Sequence, residues 1–183
     1  MTAPLDLPPL ADADWPEEAA ALRAGFAGRL NVYRVMAHHP ALLKSWQTFR
    51  NHVVRETSLG AARSEVAILR TGVRLEAPYE WAHHVVRGRD AGLSDARIRS
   101  LRGPLSGMSA EDAAIARAVD ELIDDACLSA GAQAELAALV GVAGVFDVIA
   151  TVGHYRVLAC ILKSFGTPID DDIAAALAAQ PID

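Results

Sequence analysis

Residues 65 to 84 read Glu-Val-Ala-Ile-Leu-Arg-Thr-Gly-Val-Arg-Leu-Glu-Ala-Pro-Tyr-Glu-Trp-Ala-His-His, and the fold depends on where this stretch breaks. Pro78 cannot extend a helix arriving from Glu65, because it has no amide proton and its ring meets the preceding turn. At the start of a new helix both objections vanish. The stretch therefore predicts two helices, about 61–76 and 79–91, joined at Ala77-Pro78. Val66, Leu69 and Val73 give the first an apolar side. Glu80 and His84 are four apart, so on the second helix they share a face, with Cβ atoms about 6 Å from each other. If the helices turn back on each other, Glu65 swings over that face. Two carboxylates and an imidazole then converge between helices, a common place for a pocket.

The rest of the chain reads as scaffold for this pair. Residues 1–13 form a Pro-rich, extended arm, followed by a single helical domain over 14–183. Asp14 is placed to cap a helix with Pro16 and Glu17 in its first turn, ending near Gly25. A short helix covers about 31–37. From Pro40, the positions Leu42, Trp46, Phe49 and Val53 fall at i, i+4, i+7 and i+11, which predicts a long amphipathic helix with those four on its buried stripe. Gly92 ends the second central helix, and Ser94 caps a successor that stops at Gly103-Pro104. Ser109 with Asp112 resembles a capping box, and Ser129 caps a helix over about 130–140. The most apolar helix spans 144–165 and is closed by Gly166 and Pro168, before a last helix over 170–179. No stretch reads as a strand. The expected fold class is all-α.

Composition agrees and narrows the partners. The 183 residues are 52% hydrophobic but only 5% aromatic, a balance that suits close-packed helices better than sheets. A mean hydropathy of +0.20 predicts apolar surface buried between subunits. The net charge of −6, without a basic cluster, argues against nucleic acid. No run is expected to approach the roughly 18 apolar residues of a membrane span, and the N-terminus lacks signal-peptide order. The expected location is the cytoplasm, with Cys127 and Cys160 as buried thiols of a reducing compartment.

Each candidate residue has an ordinary structural explanation. Glu65 and Glu80 lie in first turns, where the helix dipole stabilises a carboxylate, and a single histidine is often a satisfied core residue. Their combination across a proline-broken turn marks the site. His83 points about a hundred degrees away from His84, so only one of the two is expected in the acid–base pocket. A metal ranks below proton transfer, since there is no second Glu/His helix and no His-Glu-x-x-His motif. No metal or other cofactor is expected. Nucleophilic catalysis finds no Ser or Cys in a recognisable motif.

Glu65, then Glu80 fifteen residues on, then His84, followed by Ala91-Gly92-Leu93-Ser94, resembles the carboxymuconolactone decarboxylase family, also called alkylhydroperoxidase D-like. Its usual form has a Glu, a Cys-x-x-Cys opening the next helix, and a His four residues after the second Cys. Ala77 and Glu80 stand at the two cysteine positions, so the chain looks like a thiol-free variant. The resemblance extends from about Leu30 to Gly166, with looser support at Asp120-Glu121-Leu122 and Gly153-His154-Tyr155. It implies an all-α fold with a central antiparallel helix pair, assembled as a homo-oligomer (dimer, trimer or hexamer). Disulfide-based peroxide reduction needs a low-pKa thiolate and a resolving thiol, which the substitutions at Ala77 and Glu80 disfavour. The other family chemistry is cofactor-independent decarboxylation of a carboxylated lactone or related oxo acid, a carboxy-lyase step of aromatic catabolism. There Glu65, Glu80 and His84 are the catalytic candidates, because an acid must protonate the carbanion equivalent left by carbon dioxide. Their carboxylates would repel an anionic substrate unless an arginine offsets them. Arg70, Arg74 and Arg87 lie nearby, and Arg70, Tyr79 and His83 are the candidates for substrate contact. The alternative is a non-catalytic helical oligomer or binding protein in which the same residues form a structural network.

Overall fold

Helix boundaries follow the breakers and caps of the sequence. In the computed structural model, which describes residues 5–182, the helices are α1 (Ala20–Arg23), α2 (Asn31–Met36), α3 (Pro40–Asn51), α4 (Ala61–Arg74), α5 (Pro78–Asp90), α6 (Asp95–Ser100), α7 (Ala110–Asp124), α8 (Ala130–Ser164) and α9 (Asp171–Ala179). No strand occurs among the described residues. Ser94, Ser109 and Ser129 accept the amides of Arg97, Asp112 and Ala132, capping α6, α7 and α8. Asp112 does not complete a reciprocal box, because its carboxylate is held by Arg97.

The central pair is antiparallel. Gly72 lies against Glu80 and Trp81, and Gly88 at the far end approaches Leu69. A Cβ at Gly72 would sit 3.5 Å from the Glu80 Cβ and the Trp81 amide nitrogen, in ordinary van der Waals contact, so the two helices pack closely there. Val66 and Leu69 are fully buried, and Val73 is partly covered.

Three expectations fail for local reasons. Asp14 caps no helix: Asp12–Asp14 and Glu17–Ala19 are single 3-10 turns, and α1 begins only at Ala20. Pro16 keeps Trp15 extended, which divides the expected helix. The same turns shorten the extended arm, whose residues 1–4 lie outside the described residues. On α3 the inward stripe is Leu43, Trp46 and Arg50 rather than Leu42 and Phe49, which are 38% and 40% exposed. The helix ends in a π-turn, His52–Glu56, so Val53 is buried on a different path. Finally, α8 is long and apolar enough to cross a membrane, with an 18-residue window of mean hydropathy 2.1. Alanine, valine, leucine and isoleucine raise its average, interrupted by single polar residues such as Asp147. Gly141, at φ 71° and ψ 174°, breaks it where two helices were expected.

Two apolar clusters form the core. One joins α4, α5, α6, α7 and the inner face of α8 through Val66, Leu69, Val85, Ile98, Ile115 and Val148. The other packs the N-terminal turns, α2 and α3 against Tyr79, Tyr155 and Leu158. Asp170, just before α9, fastens the second cluster to α5. Its carboxylate accepts the first amide of α2 (Asn31, 2.9 Å), the Tyr79 hydroxyl and His83 Nε2 (2.8 Å). Burial alone would raise the Asp170 pKa, but the bonds from His83, Tyr79 and Asn31 hold it below its usual value. Its stabilisation is therefore present above the ordinary carboxyl range and is lost as pH falls towards the lowered pKa. Asp170→Ala should lower the unfolding free energy by about 3 kcal/mol, because it leaves buried donors without an acceptor. The midpoint of urea denaturation near neutral pH reads this directly.

Candidate functional site

Glu65 and His84 face each other across the α4–α5 seam, with His84 Nδ1 2.6 Å from Glu65 Oε2. A carboxylate oxygen only accepts, so Nδ1–H donates, and a neutral ring then keeps its lone pair on Nε2. That nitrogen is turned towards Glu80 Oε2, 3.6 Å away. The three side chains form a line, with the imidazole between two carboxyl groups. His84 and Glu80 are buried, and the Tyr155 ring, from α8, packs perpendicular to the imidazole with 5.0 Å between ring centres.

Burial sets the protonation states. Desolvation lowers the His84 pKa, although Glu65 pulls it back through its charge and its hydrogen bond. Desolvation pushes Glu80 up to about 8; Arg87 opposes this and Glu65 reinforces it. Near neutral pH Glu80 thus retains its proton, and His84 is the neutral ring that can receive it.

Glu65 and His84 line a cavity of about 300 Å³ bounded by Arg50 of α3, Val53, Val54, Arg55 and Thr57 of the π-turn region, Ser64 and Ile68 of α4, Arg87, and Tyr155. Glu80 does not line it. It lies behind the imidazole on a cleft of only about 10 Å³, because it sits one turn earlier on α5 and His84 fills the space between. Asp147 of α8 holds the cavity's outer wall, accepting His52 Nε2 at 2.8 Å and both the amide and hydroxyl of Ser58 at 2.6 Å. A second depression, about 450 Å³, opens at the Ala77-Pro78 turn beside Trp81 and Arg102, but Glu76 and Arg102 are its only ionisable groups.

The residues expected to touch substrate stand elsewhere. Arg70 points away from Glu65, since five residues turn the helix by roughly 140°. It binds Asp120 at 2.7 and 2.6 Å and donates to the carbonyls of Leu101 and Gly103. Arg74 pairs with Asp120 and Asp124. Tyr79 and His83 are held by Asp170 and reach only the narrow cleft. The cavity's cations are instead Arg50, Arg55 and Arg87. Arg87 was readable from the sequence, because Glu80, His84 and Arg87 fall at i, i+4 and i+7. Arg50 was readable as a charged residue on the apolar stripe of Leu43 and Trp46. Ser64 gave no signal of its own, and Tyr155 entered only through the Gly153-His154-Tyr155 segment of the resemblance. Cys127 and Cys160 are exposed rather than buried, and neither lines this cavity. The loop before α8 and the outward stripe of α8 carry them to the surface.

Residues 40–124 match the carboxymuconolactone decarboxylase family. That segment, 85 of the 183 residues, resembles the family and contains the central hairpin. The matched segment carries Arg50, Ser64, Glu65, Glu80, His84 and Arg87, while Tyr155 and Asp170 come from beyond it. No curated protein matches the chain. The family's all-α architecture is the one seen here, with the acid–imidazole line across its central hairpin.

The Glu80 proton makes stability depend on pH. Below its ordinary value of 4.5 the side chain is protonated folded or unfolded; between 4.5 and about 8 only the folded chain keeps the proton. Stability from this group is therefore complete at acid pH and is lost as pH rises through about 8. Glu80→Gln, neutral and of the same shape, should melt a few degrees above the parent at pH 8.5, with the gap closing by pH 4.5. Thermal denaturation across that range measures it.

Proposed function

We propose that this protein is a cofactor-independent carboxy-lyase, or a proton-transfer enzyme of the same chemistry, acting on a carboxylated lactone or related oxo acid. The observation that supports this is the Glu65–His84 hydrogen bond opening onto a cavity of about 300 Å³, with a protonated carboxyl behind it. As the carbon–carbon bond to the leaving carboxylate breaks, its electron pair moves into the substrate's conjugated carbonyl system and carbon dioxide departs. The carbon then needs a proton. Glu80 passes its proton to His84 Nε2, His84 passes its Nδ1 proton to Glu65, and Glu65 delivers it to carbon. The 3.6 Å gap between Glu80 and Nε2 must close by about half an ångström for the first transfer. Solvent in the cavity then reprotonates Glu65, which returns a proton to Nδ1 as the Nε2 proton passes back to Glu80, restoring the starting tautomer and acid.

Thiol-based peroxide reduction does not fit this site, because Ala77 and Glu80 carry no sulfur and the two cysteines stand off the cavity. Release of carbon dioxide from a panel of carboxylated lactones and β-keto acids tests the reading. Glu65→Gln or His84→Ala should lower turnover by roughly two to four orders of magnitude, and His83→Ala far less. The rate should fall as pH rises through about 8, where Glu80 loses its proton. Binding with no turnover across the panel would favour the non-catalytic alternative.

The same reading takes the chain as a homo-oligomer. Val142, Phe146, Ile149 and Val157 stand exposed along one side of α8, beside an apolar groove of about 450 Å³ lined by Leu128, Ala137, Val142 and Val145. One surface thus carries both a projecting Phe146 and a hollow of matching character, which suits a second copy of the chain. Sedimentation at micromolar concentration should show a dimer or larger, and Phe146→Asp should shift it towards monomer.

A further inference from the structure

The cavity's charges do not balance. Arg70, Arg89 and Arg97 each hold a carboxylate at 2.6–2.8 Å, yet Arg50 and Arg87 form no ion pair among the described residues. Arg50 is 7% exposed. It lies over the Phe26 ring at 4.7 Å and makes one long bond, 3.3 Å, to the Asn51 side chain. Its Nε has no partner, nor does the buried Oγ of Ser64, and both residues line the same cavity. Arg87 feels Glu65 and Glu80 without pairing with either. Burying a guanidinium unpaired is costly, and three cations, Arg50, Arg55 and Arg87, face a single lining carboxylate, Glu65. Gly60 and Ala61 bring the start of α4, which has no side-chain cap, to the same wall, so its first-turn amides add positive potential.

We propose that Arg50, Ser64 and Arg87 form a subsite that holds a carboxylate of the substrate as an anchor, separate from the carboxylate that leaves. This rests on the acid–base reading of Glu65 and His84. The separation follows from the chemistry. A carboxylate clamped by guanidinium groups is stabilised as an anion, and that stabilisation is lost as it becomes neutral carbon dioxide. A clamp on the departing group would therefore raise the barrier, whereas a clamp on a group that stays holds the ground and transition states alike and fixes the reacting carbon beside Glu65. Arg50 and Arg87 are accordingly positioning residues. Their loss should appear mainly in KM, with a smaller fall in kcat from looser placement.

Calorimetric titration with glutarate, a small dicarboxylate unable to lose carbon dioxide here, tests the subsite without turnover. The parent protein should bind it saturably and its neutral dimethyl ester should not bind. Arg50→Met and Arg87→Met should each weaken glutarate at least tenfold, and Arg50→Lys should restore part of the loss. Arg156→Gln, on the exposed side of α8, should change nothing. Circular dichroism and thermal melting of each variant establish that it is folded. Glu65→Gln should retain glutarate binding while losing turnover. Undiminished binding in folded Arg50→Met and Arg87→Met overturns the subsite and leaves the acid–base reading in place. Arg50-dependent binding with no turnover on any panel substrate overturns the acid–base reading and supports the subsite. Equal affinity for the ester, or tighter binding of inorganic phosphate, overturns the assignment to a carboxylate.

Discussion

An imidazole buried between two carboxyl groups imposes a proton count on everything around it. If Glu65 and Glu80 were both ionised beside a neutral His84, two negative charges would sit in the interior, opposed mainly by the half-buried Arg87. Desolvation makes that arrangement expensive, so a proton stays on Glu80. The hairpin geometry makes this state possible. Pro78 fixes the turn, Gly72 lets the helices close, and Glu65 comes within hydrogen-bond reach of a residue nineteen positions away. A wider hairpin would admit water, ionise Glu80 at ordinary pH and remove the donor.

The site also sits on a boundary. Most of the buried side chains of α4 and α5 belong to one apolar cluster, while Ile68 and Tyr79 join the other, to which α3 and the C-terminal half of α8 bring Arg50 and Tyr155. A seam between two clusters tolerates a cavity that a single close-packed core would collapse. It also calls for fasteners, and two carboxylates on the last third of the chain supply them. Asp147 holds the π-turn wall through His52 and Ser58, and Asp170 fastens α5 to α2. Both keep lowered pKa values because their hydrogen bonds outweigh their burial.

What the sequence disclosed follows from the range of its signals. Periodicity, caps and breakers act within a few residues, and they placed the central hairpin, the serine caps and the break near residue 141. The i, i+4 relation of Glu80 and His84 is equally local. By contrast, the partner of Arg70 lies fifty residues away at Asp120, and Asp170 reaches back to Tyr79 and His83 across about ninety. No local pattern announces such pairings, so Arg70, Tyr79 and His83 looked available when they were engaged. The α3 stripe failed differently. Choosing Leu42 and Phe49 on hydrophobicity ignored that Leu43, Trp46 and Arg50 describe an equally good helical face. That face is the buried one, and it places the cavity's first arginine.

Net charge misleads about what this cavity attracts. The chain carries −6 overall, which alone would repel an organic acid. Screening confines that repulsion to about 8–10 Å at physiological salt, so surface carboxylates contribute little inside. Within the cavity Arg50, Arg55 and Arg87 outnumber Glu65, and the low dielectric of the walls strengthens their field. The proton on Glu80 is part of this balance. Were Glu80 ionised, its charge would cancel much of what Arg87 offers. An arriving anion in turn disfavours ionisation of Glu80, since a nearby like charge raises a carboxyl pKa. On the proposed reading, anion binding and proton retention would reinforce each other through His84 and Arg87, so that one buried glutamic acid would serve both.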